Sequence, residues 1–317
     1  MPGKIVSMIR YEKNKAIDKT RWNDCISHSV NGIVYARSWY LDIVCPGWDA
    51  LIEGDYDTVF PLTHHAKLGI KYLYQPYFTQ QLGIFSRHHL TPDLVGEFLG
   101  NIPSKFRFIE INLNTFNKIE SDKYKTVLRL NHELDLINSY ENIVSGYDQN
   151  TRRNLRKAYN GGITVRHKVD PDELIALFRE NWGIKESKLK FHHYQLIRDI
   201  MIHALKSTFS MVLGAYPADN KLCAGMFFLK EGDKAILLLA GSDTRSRDNG
   251  AMFLLLDTFI RDHSGQAIIL DFEGSNDPNV ARFYKGFGAG ESFYYQVRIN
   301  RLDPITLHLV KFIKRLR

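Results

Sequence analysis

Strand-like and helix-like segments alternate twice along this chain, once on either side of about residue 135. That pattern predicts a mixed α/β (α+β) protein built on central sheets, in two domains. Two further observations agree. The length of 317 residues suits two domains of ordinary size. A composition of 44% hydrophobic, 24% charged and 12% aromatic residues supports real cores and excludes both a disordered polymer and a membrane bundle. No short-period repeat or low-complexity tract interrupts the pattern.

In the first half, residues 17–29 carry an amphipathic helical pattern, and Ser38 caps a short helix through 43. Residues 48–52, 58–61 and 69–74 are short and rich in strand formers. Residues 94–99 follow a Thr-Pro helix start, 106–113 alternate at period two, and 126–130 close the half as a strand. The second half begins with a long helical region, 137–160, then a short strand at 163–167 and helices at 171–184 and 194–207. Strands at 210–216, 222–229 and 235–240 lead into an apolar helix at 251–262, a strand at 267–272, a helix over about 279–285 and a strand at 293–299. Asp303-Pro304, an N-cap followed by proline at the first helical position, opens a final helix. The domains expected are 1–135 and 136–302, with a basic amphipathic helix at 303–317.

The formal charge of +7 is concentrated. Residues 151–168 hold Arg152, Arg153, Arg156, Lys157, Arg166 and Lys168 and no acid, and 311–317 add Lys311, Lys314, Arg315 and Arg317. Removing these ten charges from +7 leaves −3, so a general polyanion binder with a broad basic surface is disfavoured. Cys25, Cys45 and Cys223 are far apart and outside any C-x-x-C pattern, which argues against a disulfide framework or zinc site and fits a reducing compartment. Residues 1–10 lack the apolar stretch of a secretory signal, and the longest uncharged apolar run, 235–242, falls far short of the ~20 residues of a spanning helix. The expected location is the cytoplasm, with any membrane contact peripheral.

Four groups of residues are candidates for chemistry. On a helix, Arg152, Arg153, Arg156 and Lys157 share one arc opposite Leu155, Ala158 and Tyr159, so they either bind an anion such as a phosphate or form a solvated face. Arg247, Gly250 and Ala251 lie in a strand–glycine–helix turn, where backbone N–H groups can cradle a phosphate. Asp248 or Asn249 acting as a helix cap explains the same residues. Asp271 and Glu273 close an apolar strand on one face by period two, which makes Glu273 a candidate general base; pairing with an arginine or capping the next helix is the competing reading. Tyr284 is a candidate acid for a leaving thiolate or alkoxide, or an amphipathic packing residue. The histidine pairs 64–65, 88–89 and 192–193 diverge on any regular element, so no metal site is expected. Walker, G-x-S-x-G and H-E-x-x-H motifs are missing from the sequence, which disfavours NTPase, hydrolase and metalloprotease chemistry.

Val34-Tyr35, Ser38-Trp39-Tyr40, Pro61-Leu62 and Pro76-Tyr77-Phe78-Thr79-Gln80-Gln81-Leu82-Gly83 stand in the first half. Thr151-Arg152-Arg153-Asn154 with Lys157-Ala158 and Gly161-Gly162-Ile163 opens the second, and Phe272-Glu273-Gly274-Ser275 with Ala281-Arg282-Phe283-Tyr284-Lys285-Gly286-Phe287-Gly288-Ala289 closes it. In this order and spacing they resemble the acyl-CoA N-acyltransferase (GNAT-like) superfamily, specifically its tandem-domain members related to the FemABX aminoacyltransferases. The resemblance implies two tandem acyl-CoA N-acyltransferase-like domains, each a central mixed β-sheet flanked by helices and splayed to form a pocket. It implies transfer of an activated acyl or aminoacyl group, from acyl-CoA or aminoacyl-tRNA, to an amine, with a lipid-linked peptidoglycan precursor as acceptor in the FemABX branch. Arg247, Gly250 and Ala251 would then overlay the pyrophosphate loop and Tyr284 the tyrosine acid, with no resident cofactor beyond acyl-CoA as co-substrate.

Two other readings stand beside this one. The chain is alternatively a catalytically silent member that uses the same groove as a binding module. In residues 303–317 Ile305, Leu309, Phe312, Ile313 and Leu316 oppose the bases, so that helix either packs on the protein or attaches to anionic lipid at the inner face of the membrane.

Overall fold

The computed structural model describes residues 8–119, 123–180, 189–207, 210–273 and 277–303. Two compact units make up the chain: one runs to Arg129 and takes in the residues from Tyr294 onward, and the other is Leu130–Phe293. The sequence places the boundaries at 135 and 302. They differ because the strand read as closing the first half continues into the second unit, and the last strand carries Gln296–Asn300 back to pair in the first.

The first unit contains β1 (Arg10–Glu12), α1 (Lys19–His28), α2 (Ser38–Val44), β2 (Asp49–Glu53), β3 (Thr58–Leu62), β4 (His64–Lys67), β5 (Ile70–Leu73), β6 (Phe85–Ser86), α3 (Pro92–Gly100) and β7 (Phe106–Asn112). β8 (Lys125–Asp135) leads onward. Strands β1, β2, β3 and β6 pair antiparallel in that order. β4 pairs antiparallel with β5, which runs parallel to β7, so this sheet is mixed. Asp18 and Thr91 cap α1 and α3 by accepting from backbone N–H groups; the Thr-Pro start of α3 is the one read from the sequence, while α1 begins at Lys19, two residues later than its pattern suggests. Phe60, Leu73, Phe98, Phe106 and Ile109 form the core between α3 and the strands.

The second unit continues with α4 (Tyr140–Ser145), α5 (Gln149–Asn160), β9 (Thr164–Arg166), α6 (Pro171–Phe178), α7 (Phe191–Ala204), β10 (Ser210–Tyr216), β11 (Ala224–Glu231), β12 (Lys234–Ser242), α8 (Thr244–Asn249), α9 (Ala251–His263), β13 (Ile269–Asp271), α10 (Pro278–Lys285) and β14 (Gly290–Asn300). Its strands order as β8, β13, β12, β11, β10, β9. All neighbours are antiparallel except β12 and β13, which run parallel. The long helix expected at 137–160 is two helices. Ser139 caps the first, Gly146 ends it, and Asp148 caps the second by accepting from the Thr151 N–H at 2.6 Å. α9 is buried nearly all round, with Leu254, Leu255, Leu256, Phe259 and Ile260 inside, and Phe259 stacks on Phe228 of β11 at 3.9 Å between ring centres. The expected helix at 303–317 lies outside the described residues beyond Asp303.

Candidate functional site

β12 and β13 are in register only at Lys234–Ile236 and Ile269–Asp271. β12 then runs on to Ser242 with no strand partner on that side among the described residues, so two parallel strands part at the end of β13. Beside the parting, the β11–β12 register skips Leu238, a β-bulge that takes backbone groups of one residue out of the ladder.

The carboxylates at the end of β13 have different fates. Asp271 is 3% exposed and fully engaged: Lys234 Nζ lies 3.1 Å from one oxygen, and the other accepts from Asn131 Nδ2 at 3.0 Å and the Glu273 N–H at 2.8 Å. Lys234 also reaches Glu133 at 2.7 Å. Burial alone would lower the Lys234 pKa, and the carboxylates of Asp271 and Glu133 overcome this and raise it. Glu273 has φ +54°, a left-handed conformation, so the period-two alternation that put both acids on one face ends at Asp271. Its Oε1 is buried with no hydrogen-bond partner among the described residues, and burial pushes its pKa up to about 8. Asp271 is the acid that pairs; Glu273 keeps one oxygen without a partner among the described residues.

Tyr284 stands on the inner face of α10, stacked on Phe272 at 4.5 Å. Burial, and then the carboxylates of Glu273 and Asp271, raise its pKa, so its hydroxyl stays protonated. His132 of β8, opposite Phe272 in the strand register, lies 6.1 Å from the Tyr284 ring. It is fully buried, neither ring nitrogen has a partner among the described residues, and burial lowers its pKa. His132, Asn131 and Lys234 escape sequence reasoning because strand pairing, not chain proximity, brings them to Asp271 and Phe272 at the end of β13.

The other face of α10 borders a cleft of about 350 Å³ lined by Pro278, Ala281, Arg282, Lys285 and Gly286 with Asp148. It contains neither Glu273 nor Tyr284. On α5, Leu155 and Ala158 are buried and Arg152, Arg153, Arg156 and Lys157 exposed, the arc expected from the sequence. The four bases are not equivalent. Arg152 donates to the carbonyls of Val144, Ser145 and Tyr147 at 2.7–3.0 Å and so satisfies the end of α4. Arg153 donates to Asn150 at 2.8 Å, while Arg156 and Lys157 pair with no acid among the described residues.

Thr244–Asn249 form the short helix α8, where the sequence suggested an open turn. Arg245 of that helix pairs with Asp243 and Asp219. Gly250 has φ +76°, and a Cβ there would come 2.3 Å from the Asn154 carbonyl of α5, so packing alone demands glycine. The Ala251 N–H already donates to Asn249 Oδ1 at 2.9 Å. The side chain of Arg247, and Gly274 and Ser275 of the closing motif, lie outside the described residues. Within the described residues, no group of three or more His, Cys, Asp or Glu is placed to hold a metal ion, and no helix is long and apolar enough to cross a membrane.

Residues 145–285 match the acetyltransferase (GNAT) domain family. No curated protein matches the chain in sequence. Among solved structures, FemX superposes with a TM-score of 0.65 at 14% identity, covering 94% of this chain and 99% of its own. L-PGS from Bacillus licheniformis superposes at 0.54 and 14% identity, covering 92% and 96%. The C-terminal domain of a provisionally assigned lysylphosphatidylglycerol synthetase from Agrobacterium fabrum superposes at 0.55 and 11% identity, covering 92% and 95%. At these identities the likeness is one of fold, and the domain match supports an acyltransferase.

Proposed function

We propose that this chain, whose acyl-CoA N-acyltransferase-like fold resembles that of FemX, transfers an activated acyl or aminoacyl group to an amine. The observation that carries the reading is Glu273. The residue is half-buried, with its Oε1 buried and without a hydrogen-bond partner among the described residues; its pKa is raised to about 8, and it is held at the point where β12 and β13 part and beside a tyrosine that stays protonated. A base poised near the working pH combines a usable carboxylate fraction with real proton affinity.

The chemistry follows from the groups present. The amine nitrogen attacks the acyl carbonyl carbon, and Glu273 takes the proton that the nitrogen sheds. A backbone N–H at the Leu238 bulge supports the developing oxyanion. The carbon–sulfur or carbon–oxygen bond to the donor breaks, and Tyr284 gives its proton to the leaving atom. Solvent then returns the proton from Glu273 to Tyr284. Positioning two substrates in one wedge supplies much of the rate.

For the donor, the engaged Ala251 N–H and the packing-determined Gly250 leave little of a pyrophosphate cradle, which favours an aminoacyl-tRNA over acyl-CoA. The exposed Arg153, Arg156 and Lys157 are suited to a phosphate-bearing donor or acceptor. A cell-envelope precursor is the proposed acceptor, met at the cytoplasmic face of the membrane with residues 303–317 in contact with lipid. The same closed turn also supports the second reading, a silent binding module.

Glu273→Gln separates them. With acetyl-CoA and bulk aminoacyl-tRNA as donors and an amine acceptor, the transferase reading expects kcat/KM to fall about 10²- to 10⁴-fold, with the melting temperature at pH 8 unchanged or raised. Turnover that survives in the variant contradicts the reading.

A further inference from the structure

Asn131 is fully buried, and its amide can point only one way. Its partner, Asp271, is ion-paired with Lys234 and accepts hydrogen bonds without donating any, so the amide nitrogen must face it. The Asn131 Oδ1 is thereby turned away, buried and without a partner among the described residues. The antiparallel register that sets Glu133 against Asp271, continued past His132 and Phe272, brings Asn131 across from Glu273. One oxygen of Asp271 accepts from both, from Asn131 Nδ2 at 3.0 Å and from the Glu273 N–H at 2.8 Å. Two orphaned acceptors, Asn131 Oδ1 and Glu273 Oε1, are thus mounted on a single clamped carboxylate, which Lys234 and Glu133 hold in place.

We propose that Asn131 Oδ1 and Glu273 Oε1 together recognise the acceptor's nitrogen and select a primary amine, or its ammonium form, over a hydroxyl or secondary amine. The inference rests on the transferase reading for its chemistry but not for its test. A neutral primary amine has two N–H groups, one for each oxygen, and its lone pair remains for the acyl carbon. An alcohol has one O–H and leaves one buried acceptor unpaired, which is costly. A secondary amine has the same deficit and an added alkyl group. Asn131 is then a specificity-determining residue and Glu273 the base on the same nitrogen.

Asn131→Thr separates the two halves of the amide, because the hydroxyl can still donate to Asp271 while a methyl replaces Oδ1. Binding to the full chain is followed by NMR titration with n-butylamine, with n-butanol and N-methylbutylamine as controls. The wild type is expected to bind n-butylamine at least about tenfold more tightly than Asn131→Thr does, with the controls weak for both. In the wild type alone, the Asn131 side-chain amide resonance is expected to move with n-butylamine and not with n-butanol. Equal affinity in the two proteins, or an unmoved Asn131 resonance, overturns the proposal even if the variant folds poorly. Turnover with acetyl-CoA and bulk aminoacyl-tRNA is measured in parallel. Amine binding lost in Asn131→Thr but no wild-type turnover would reject the transferase reading and keep the amine site. Turnover abolished by Glu273→Gln but indifferent in KM to Asn131→Thr would do the reverse.

Discussion

Asp49 opens β2 in the first unit and Glu273 stands two residues past β13 in the second; each has carboxyl oxygen withdrawn from water, and the two folds treat them in opposite ways. Asp49 is 6% exposed and saturated with donors. It accepts from the Tyr11 hydroxyl and, at 3.1 Å, from the Asn14 N–H, with His64 Nε2 at 3.1 Å and Lys105 Nζ at 3.6 Å. Burial alone would raise its pKa; the hydrogen bonds from His64, Tyr11 and Asn14 overcome this and hold it down to about 2. Glu273 has no donor for Oε1 among the described residues, and burial takes it the other way, to about 8. A carboxylate whose lone pairs are all used belongs to the frame. One with a lone pair to spare, kept at a cost, is where a ligand can act.

The contrast can be broken at several points. The largest effect on folding is expected from Lys234→Ala, which leaves the buried Asp271 without its cationic partner, unpairs the half-buried Glu133 and releases the frame beneath Glu273. A loss of about 3–5 kcal/mol in urea-unfolding free energy follows, and a loss below about 1 kcal/mol would mean that the frame is not clamped there. Next is Asp49→Asn, which keeps the shape but weakens the contacts with Tyr11, Asn14, His64 and Lys105 and should cost about 2–3 kcal/mol at pH 7. Its cost should vanish in acid, because the stability contributed by a lowered carboxyl is present above 3.8 and lost as pH falls through about 2. The smallest effects distinguish two neighbours on α5. Arg152→Ala removes the donor set at the end of α4 and should cost about 1 kcal/mol, whereas Arg156→Ala should stay within about 0.5 kcal/mol and change only the binding of phosphate-bearing ligands.

Much of the framework was legible beforehand because it is local. The apolar runs of β11, β12 and α9, the Thr-Pro helix start, and the outward arc of bases on α5 follow from neighbours in the chain. The helix read across 137–160 failed at Gly146-Tyr147-Asp148, where a C-terminal glycine and a new N-cap together outweigh helical propensity. In the site, Glu273 and Tyr284 were visible as residues, but their roles were not separable from those of Asp271. What separates them is a left-handed φ at Glu273 and contacts reaching from β8 and β12, which pair with β13 from more than thirty residues away. Arg152 shows the converse. Its sequence context makes it one of four equal cations, and only the end of α4 folding back shows it to be committed.

The central claim is that Glu273 is held protonated at neutral pH by its surroundings and is free to exchange that proton. Between about 4.5 and 8 the folded chain keeps a proton that the unfolded chain releases, so this group's contribution to stability falls as pH rises across that window. The direct test is a carbon-13 NMR titration of the glutamate side-chain carboxyls in the full chain, with Glu273→Gln used to assign the signal. A Glu273 midpoint near 8 supports the account. A midpoint near 4.5 would mean that the carboxyl is solvated or paired, and would contradict it.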